Sequence, residues 1–306
     1  MTAAPHPPPA VEIVEYTDPM CPWAWGSEPS FRRLREALSG RVRWRRVYAI
    51  LFDHDDDPAP DPAAETAWYA RYVEEISGHT GAPRAARLSR VAASSWPSSL
   101  VAKAAELQGD DVAGRVLRRL RETVFVLGEP ADTTALALSA ARGVPGLDPD
   151  RLRSDATSGN VLDRVRADRA EARRPVPDVL SVRGDSPHPG AAKETLDGGF
   201  RYALPTLLVH CPDGHRAVPG WRPFAAYEAA VDALAPGLLR PQRPRSPDEA
   251  LRVHRSLTGP EAEQLAQGGR PPSHAVRVNT GNGPLWLHPE EAATHPATTT
   301  WAGTGL

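Results

Sequence analysis

A chain of 306 residues is long for one domain and ample for a sizeable core, so two compact units, or one domain with a large insertion, is the expectation. The formal net charge of −2 leaves no excess of basic charge to neutralise phosphates, which argues against nucleic acid as a partner. The opening MTAAPHPPPA has neither a basic n-region nor an apolar h-region, and no stretch approaches the roughly 18 apolar residues of a membrane span, so the sequence predicts a cytoplasmic protein with no membrane partner.

Val11 to Tyr16 alternates apolar with acidic residues, the period-2 pattern of a strand. A short turn, DPMCP, leads into WGSEPSFRRLREAL, where Phe31, Leu34 and Leu38 recur at helical spacing until Gly40 stops the run. RVRWRRVYAI alternates again, so the chain opens as strand, helix, strand, with Cys21 at the first junction. From about Pro62 to Arg174 the pattern is helical, with helices predicted over 63–76, 97–107, 111–127, 133–141 and 162–172, broken by Gly and Pro. A Pro/Gly-rich loop over about 175–199 precedes YALPTLLVHCPDGHRAVPGW, which predicts a hairpin with strands at 206–210 and 215–218 around the PDG turn. Phe224, Tyr227, Val231 and Leu234 then share one face of a closing helix. Beyond a Pro/Arg-rich linker come two short helical stretches, a hairpin across NTGNGP and a polar tail from about Glu290.

Three segments carry a resemblance: YTDPMCPWAWGSEPSFRRL, ALPTLLV and VPGWRPFAAYEAAVDAL. In this order, with helices between the first and second, they resemble the DsbA-like branch of the thioredoxin superfamily, of the cytoplasmic FrnE and 2-hydroxychromene-2-carboxylate isomerase type. The resemblance covers about residues 10–236. It implies an α/β, thioredoxin-like fold in two pieces, 10–58 and 176–236, with a large α-helical insertion over 59–175. A linker at 237–247 and a small C-terminal appendage at 248–306, of unassigned role, complete the expected organisation.

The same resemblance makes Cys21 the candidate nucleophile. A cysteine at a helix N-terminus is exposed to free N–H groups and the helix dipole, which favour thiolate, so its pKa is expected below the usual ~8.5. Asp18, three residues upstream, opposes this by placing a carboxylate near the sulfur. Leu204-Pro205-Thr206 stands where the superfamily places its cis-proline, beside the cysteine. Pro22 and Trp23, then Trp96 and Ser98 from the insertion, complete the predicted thiol- or substrate-binding set. Trp25 is expected in the core or against the insertion.

One position departs from the family pattern: the C-x-x-C motif reads Cys-Pro-Trp-Ala, with Ala24 in place of the second thiol. Ala24 cannot attack a mixed disulfide and release the partner. Cys211 is a poor substitute, because a strand from Pro205 to Cys211 spans about 20 Å and a disulfide needs Cα atoms within about 7 Å. The expected activity is therefore monothiol oxidoreductase chemistry, in which an external low-molecular-weight thiol resolves the adduct and no cofactor is tightly bound. The Arg-rich composition, with Lys103 and Lys193 its two lysines, points to mycothiol ahead of glutathione as co-substrate. Two alternatives stay open: a non-catalytic, SpxH-like adaptor for a protein client, and a thiol-dependent isomerase or transferase acting on a small-molecule electrophile.

Cys21 can also be read as an inert buried thiol, and Cys211 as structural. FDHDDDPAPD, residues 52–61, has one histidine and several aspartates but no ligand spacing, so it reads as a solvated loop and not a metal site. The basic run RRLRETVFVL in the insertion reads as a basic helical face, solvated and paired with nearby carboxylates. Nucleotide, α/β-hydrolase and zincin motifs are missing from the sequence.

Overall fold

The computed structural model describes residues 11–53, 60–182, 185–243 and 245–299. The first half of the fold is β1 (Glu12–Thr17), α1 (Pro22–Ala37) and β2 (Arg43–Tyr48). The insertion supplies α2 (Pro62–Thr80), α3 (Trp96–Glu106), α4 (Asp110–Phe125), α5 (Thr134–Ala140), α6 (Pro149–Ala156) and α7 (Gly159–Ala172). A short ladder of β3 (Lys193–Glu194) and β4 (Phe200–Arg201) precedes the hairpin β5 (Thr206–Cys211) and β6 (Gly214–Pro219), closed by α8 (Phe224–Leu234).

β1, β2, β5 and β6 form a four-stranded sheet in the order β2-β1-β5-β6, apart from the two-stranded β3–β4 ladder. β2 runs parallel to β1, as the α1 crossover requires, and β5 runs antiparallel to β1 with Tyr16 opposite Thr206. Both faces are covered. Ile13, Leu207, Val209 and Cys211 pack with Phe31 and Leu34 of α1 and Tyr227 and Val231 of α8. Val14, Tyr16, Val47 and Leu208 pack on the other face with Cys21, Trp23, Ala172, Tyr202 and Leu204. The helical insertion has a core of its own, built on Val101, Val116, Leu117, Leu120 and Phe125, into which Met20 and Trp25 reach.

The α/β, thioredoxin-like architecture with a helical insertion agrees with the sequence expectation. α6 was not predicted; its start is set by Asp148, whose side chain accepts from the N–H groups of Asp150 and Arg151 with Pro149 at the first helical position. The ladder of β3 and β4 within the expected loop was not predicted either.

The C-terminal segment forms α9 (Pro247–His254), β7 (Ser256–Thr258), α10 (Gly259–Leu265), β8 (Val276–Asn279), β9 (Pro284–Leu287) and α11 (Pro289–Ala292), with a three-stranded sheet in the order β7-β9-β8. Here the structure corrects two expectations. Arg118, Arg119 and Arg121 of α4 are not a solvated face: all three are buried, and the carboxylates that neutralise them come partly from this segment. Arg118 forms a fork of two 2.9 Å bonds to Glu261, Arg119 pairs with Glu291, and Arg121 pairs with Glu28 of α1. The polar tail is likewise packed, with His295 buried and its Nε2 2.8 Å from Glu122. Burying so many guanidinium groups is tolerated because each finds a carboxylate at hydrogen-bonding distance. The candidate metal loop places His54, Asp55, Asp56 and Asp57 outside the described residues. No helix among the described residues is long and apolar enough to cross a membrane.

Candidate active site

The turn from β1 into α1 is organised by Asp18. Its buried carboxylate accepts from the backbone N–H groups of Met20 and Leu51, both at 2.8 Å, and from the Ser95 hydroxyl at 2.9 Å. Its carbonyl accepts from Cys21 N–H, and Pro22 takes the first helical position, where its missing N–H costs nothing. Cys21 is thereby the N-cap of α1 in extended conformation, with no side-chain cap hydrogen bond. The sulfur is left to face the hairpin, where its thiol donates to the Leu204 carbonyl at 3.6 Å.

The Leu204–Pro205 peptide is cis. Pro205 is held from the other side, its carbonyl accepting from Gly220 N–H at 2.7 Å, and Thr206 is fully buried with its hydroxyl on the Ala203 carbonyl. Cys21, Pro22, Leu204, Pro205 and Thr206 therefore meet at one end of the sheet, although 183 residues separate Cys21 from Leu204.

Trp23 begins an aromatic wall beside the thiol. Its Nε1 donates to the Tyr72 hydroxyl at 3.1 Å, and its ring meets His188 edge-on at 5.1 Å and Trp221 at 6.3 Å. Trp68 stacks on Tyr72 at 5.7 Å and is 56% exposed, so the wall continues to the surface. Trp25 faces away into the insertion, donating to the Pro83 carbonyl and stacking on Phe125. Trp96 donates to Asp53 and Ser98 to the Ala131 carbonyl. The neighbouring Ser95 reaches the Cys21 turn through Asp18. Because Ser95 sits just ahead of α3, its side chain points back towards β1, whereas Ser98 lies a turn into the helix.

Three functional neighbours were not singled out from sequence. Tyr72 and Trp221 carried only the weak signal of aromatic residues near predicted element ends. His188 lies in a Pro-rich loop with no motif, and only the fold brings it to the thiol: its Nε2 lies 3.0 Å from the same Leu204 carbonyl.

The electrostatics overturn one expectation. Burial pushes the Cys21 thiol up to about 11; the N–H groups of Ala24 and Trp23 pull the other way, and the Asp18 carboxylate adds to the rise. The helix terminus does favour thiolate, but Cys21, 3% exposed as a residue, loses more to desolvation than it gains. Asp18 is itself raised to about 6 by burial, against its N–H donors. Cys211 is a free, buried thiol at the far end of β5, on the opposite face of the sheet. A cysteine there cannot reach Cys21 without dismantling the hairpin.

Comparison with known proteins agrees with this architecture. A family model described as Thioredoxin matches residues 15–174, more than half of the chain. The ClpXP adapter protein SpxH of Shouchella clausii is 30% identical over 161 residues, 52% of each chain, and that of Bacillus subtilis is 24% identical over 168 residues. The chain thus spans about half the length of the curated relatives it matches. Among solved structures, a putative protein disulfide isomerase from Nitrosomonas europaea aligns with a TM-score of 0.56 at 16% identity, over 73% of this chain and 96% of that one, and so shares the fold. The chain belongs to the thioredoxin family, and a helical insertion separates the Cys21 half of its fold from the Pro205 half.

Proposed function

We propose that this protein carries out thiol–disulfide exchange through Cys21 alone, with a low-molecular-weight thiol, mycothiol or glutathione, as co-substrate. The observation that carries the reading is the placement of the Cys21 thiol on the Leu204 carbonyl beside a cis Leu204–Pro205, with Ala24 one helical turn on and no second thiol within reach. On a client carrying a mixed disulfide, client–S–S–R, the Cys21 thiolate attacks the R-bearing sulfur. The Cys21–S–S–R bond forms, the original S–S bond breaks, and the client sulfur leaves with the electron pair and takes up the proton that Cys21 gave to solvent. A molecule of R–SH, deprotonated, then attacks the R-bearing sulfur, releasing R–S–S–R and restoring Cys21. In sum the client's mixed disulfide and one R–SH become the free client thiol and R–S–S–R, and the protein is unchanged. Such a thiol is kept reduced in the cytoplasm, where this reading places the chain.

A second reading, a non-catalytic adaptor for a protein client, is favoured by the burial and raised pKa of Cys21 together with the similarity to adapter proteins. Intact-mass analysis after incubation with oxidised glutathione or oxidised mycothiol separates the two. Exchange chemistry gives a single adduct that maps to Cys21 and disappears in Cys21→Ser. A protein that stays unmodified, or is modified at Cys211 alone, is left with the adaptor role.

A further inference from the structure

His188 is buried, and each of its ring nitrogens has one partner. Nδ1 accepts the Gly190 N–H at 3.0 Å, which fixes the proton of the neutral ring on Nε2, and that N–H donates to the Leu204 carbonyl at 3.0 Å. The ring is wedged edge-on against Trp23, and its main-chain carbonyl is gripped by Arg222 at 2.8 Å. Gly220, at φ +77°, leaves the space the ring occupies: a Cβ there would overlap the imidazole. The corner after β6 thus holds the histidine loop over the site.

The Leu204 carbonyl therefore takes two donors, the Cys21 S–H and the His188 Nε2–H. We propose that His188 is a positioning residue that lowers the cost of forming the Cys21 thiolate by keeping an N–H on the carbonyl the sulfur faces. When Cys21 loses its proton, its lone pairs are opposed by the carbonyl oxygen; the retained Nε2–H offsets that repulsion. Without it, the carbonyl has the thiol as its one side-chain donor, holds it more tightly, and confronts the thiolate unshielded. His188 is not the proton acceptor, because Nδ1 is occupied by Gly190 and Nε2 already carries a hydrogen; burial, which holds its pKa down to about 4, agrees with a permanently neutral ring. The other titratable groups acting on Cys21 are Asp18 from the β1–α1 turn, Arg121 from α4, and Tyr69 and Tyr72 from α2; Lys193 and Arg222 act on His188.

This role rests on Cys21 being the reacting group and is tested without requiring exchange. Iodoacetamide alkylation of Cys21 is followed against pH in the full chain and in two variants. His188→Asn keeps an acceptor at the Nδ1 position for Gly190 but removes the donor. His188→Gln places an amide N–H where Nε2 stood. The Asn variant should show a midpoint about one pH unit higher, with alkylation about tenfold slower below it, and the Gln variant should return towards the parent. A folded Asn variant with the parent profile, or a Gln variant shifted as far as Asn, overturns the proposal. In the unaltered protein, ¹⁵N spectra of the imidazole should show the Nε2–H tautomer at pH 7 and a resonance that moves as Cys21 titrates; an Nδ1–H tautomer, or a resonance blind to that titration, overturns it also. Should oxidised thiols leave no adduct on Cys21 while the Asn and Gln variants differ as stated, the exchange reading falls and the role of His188 stands.

Discussion

The Cys21 sulfur lies 3.6 Å from the Leu204 carbonyl oxygen, a contact between the first turn of α1 and the residue that enters β5. It exists because β1 pairs with β5 in a register that sets Tyr16 against Thr206, so the end of β1 and the start of β5 meet at one end of the sheet. The thiol is presented by one half of the fold and received by the other.

Ala24 lies in the first turn of the same helix, fully buried in the cluster that contains Cys21, and its N–H is among the groups that favour the thiolate. Ala24→Cys should therefore close a disulfide with Cys21 under mild oxidation, detected as a loss of two free-thiol equivalents. It should also gain insulin-reductase activity over the parent, since a resolving thiol then stands in the same turn. A parent as active as the variant would refute the single-thiol reading.

Asp18 works against the thiol it helps to position. Asp18→Asn removes a negative charge from beside the sulfur, so the Cys21 alkylation midpoint should move down, though burial still keeps it above the ordinary ~8.5. Because the folded-state pKa of Asp18 is raised to about 6, its contribution to stability is full below the unfolded value of about 3.9 and is lost as pH climbs through 6. At neutral pH the ionised group costs stability. The substitution also puts an amide where all three partners are donors, so the gain from removing the charge is offset by about 1–3 kcal/mol for the mismatched hydrogen bond. An unmoved midpoint would show that Asp18 does not govern the thiol.

The strands and helices that frame the site were legible because their patterns are local: alternation in Val11 to Tyr16, helical spacing in Phe31, Leu34 and Leu38, and the PDG turn. Cys21 and Pro205 were legible through motif context. The direction of the thiol's pKa was not, because it depends on how deeply the assembled fold buries Cys21, a tertiary quantity with no sequence signature. His188 was invisible for the same reason. The basic run of α4 misled because its partners, Glu261 and Glu291, lie more than 140 residues away.

Those partners give a stability prediction. Glu261 is fully buried between Arg118 and Arg32 and also accepts the Thr258 N–H at 2.8 Å. Glu261→Gln leaves buried guanidinium charge short of a carboxylate and should cost about 3 kcal/mol, read from the midpoint of urea unfolding. A change within about 0.5 kcal/mol, the range of an ordinary surface substitution, would mean that the C-terminal segment is not anchored through this pair.

The same layer predicts acid sensitivity. Burial raises the carboxyls of Glu28, Glu122 and Glu261, but the surrounding arginines outweigh it and hold all three below the ordinary range. Depressed folded-state values contribute stability that is fully present above the unfolded pKa of about 4.3 and lost as pH falls through the folded ones. Thermal midpoints should therefore hold from neutral pH down to about 5 with respect to these groups and fall steeply below about 4. A midpoint flat down to pH 2 would contradict the ion-pair assignment.

The central claim is that an outside thiol, and no second cysteine of the chain, resolves an adduct on Cys21. It is tested by loading the protein with oxidised glutathione or mycothiol, removing the excess, and following the adduct by intact mass with and without the reduced thiol. The account predicts an adduct that persists in buffer, is discharged by the reduced thiol, and decays at the same rate in Cys211→Ser. An adduct that decays unaided to a Cys21–Cys211 disulfide, or a Cys21 that never takes one up, would contradict it.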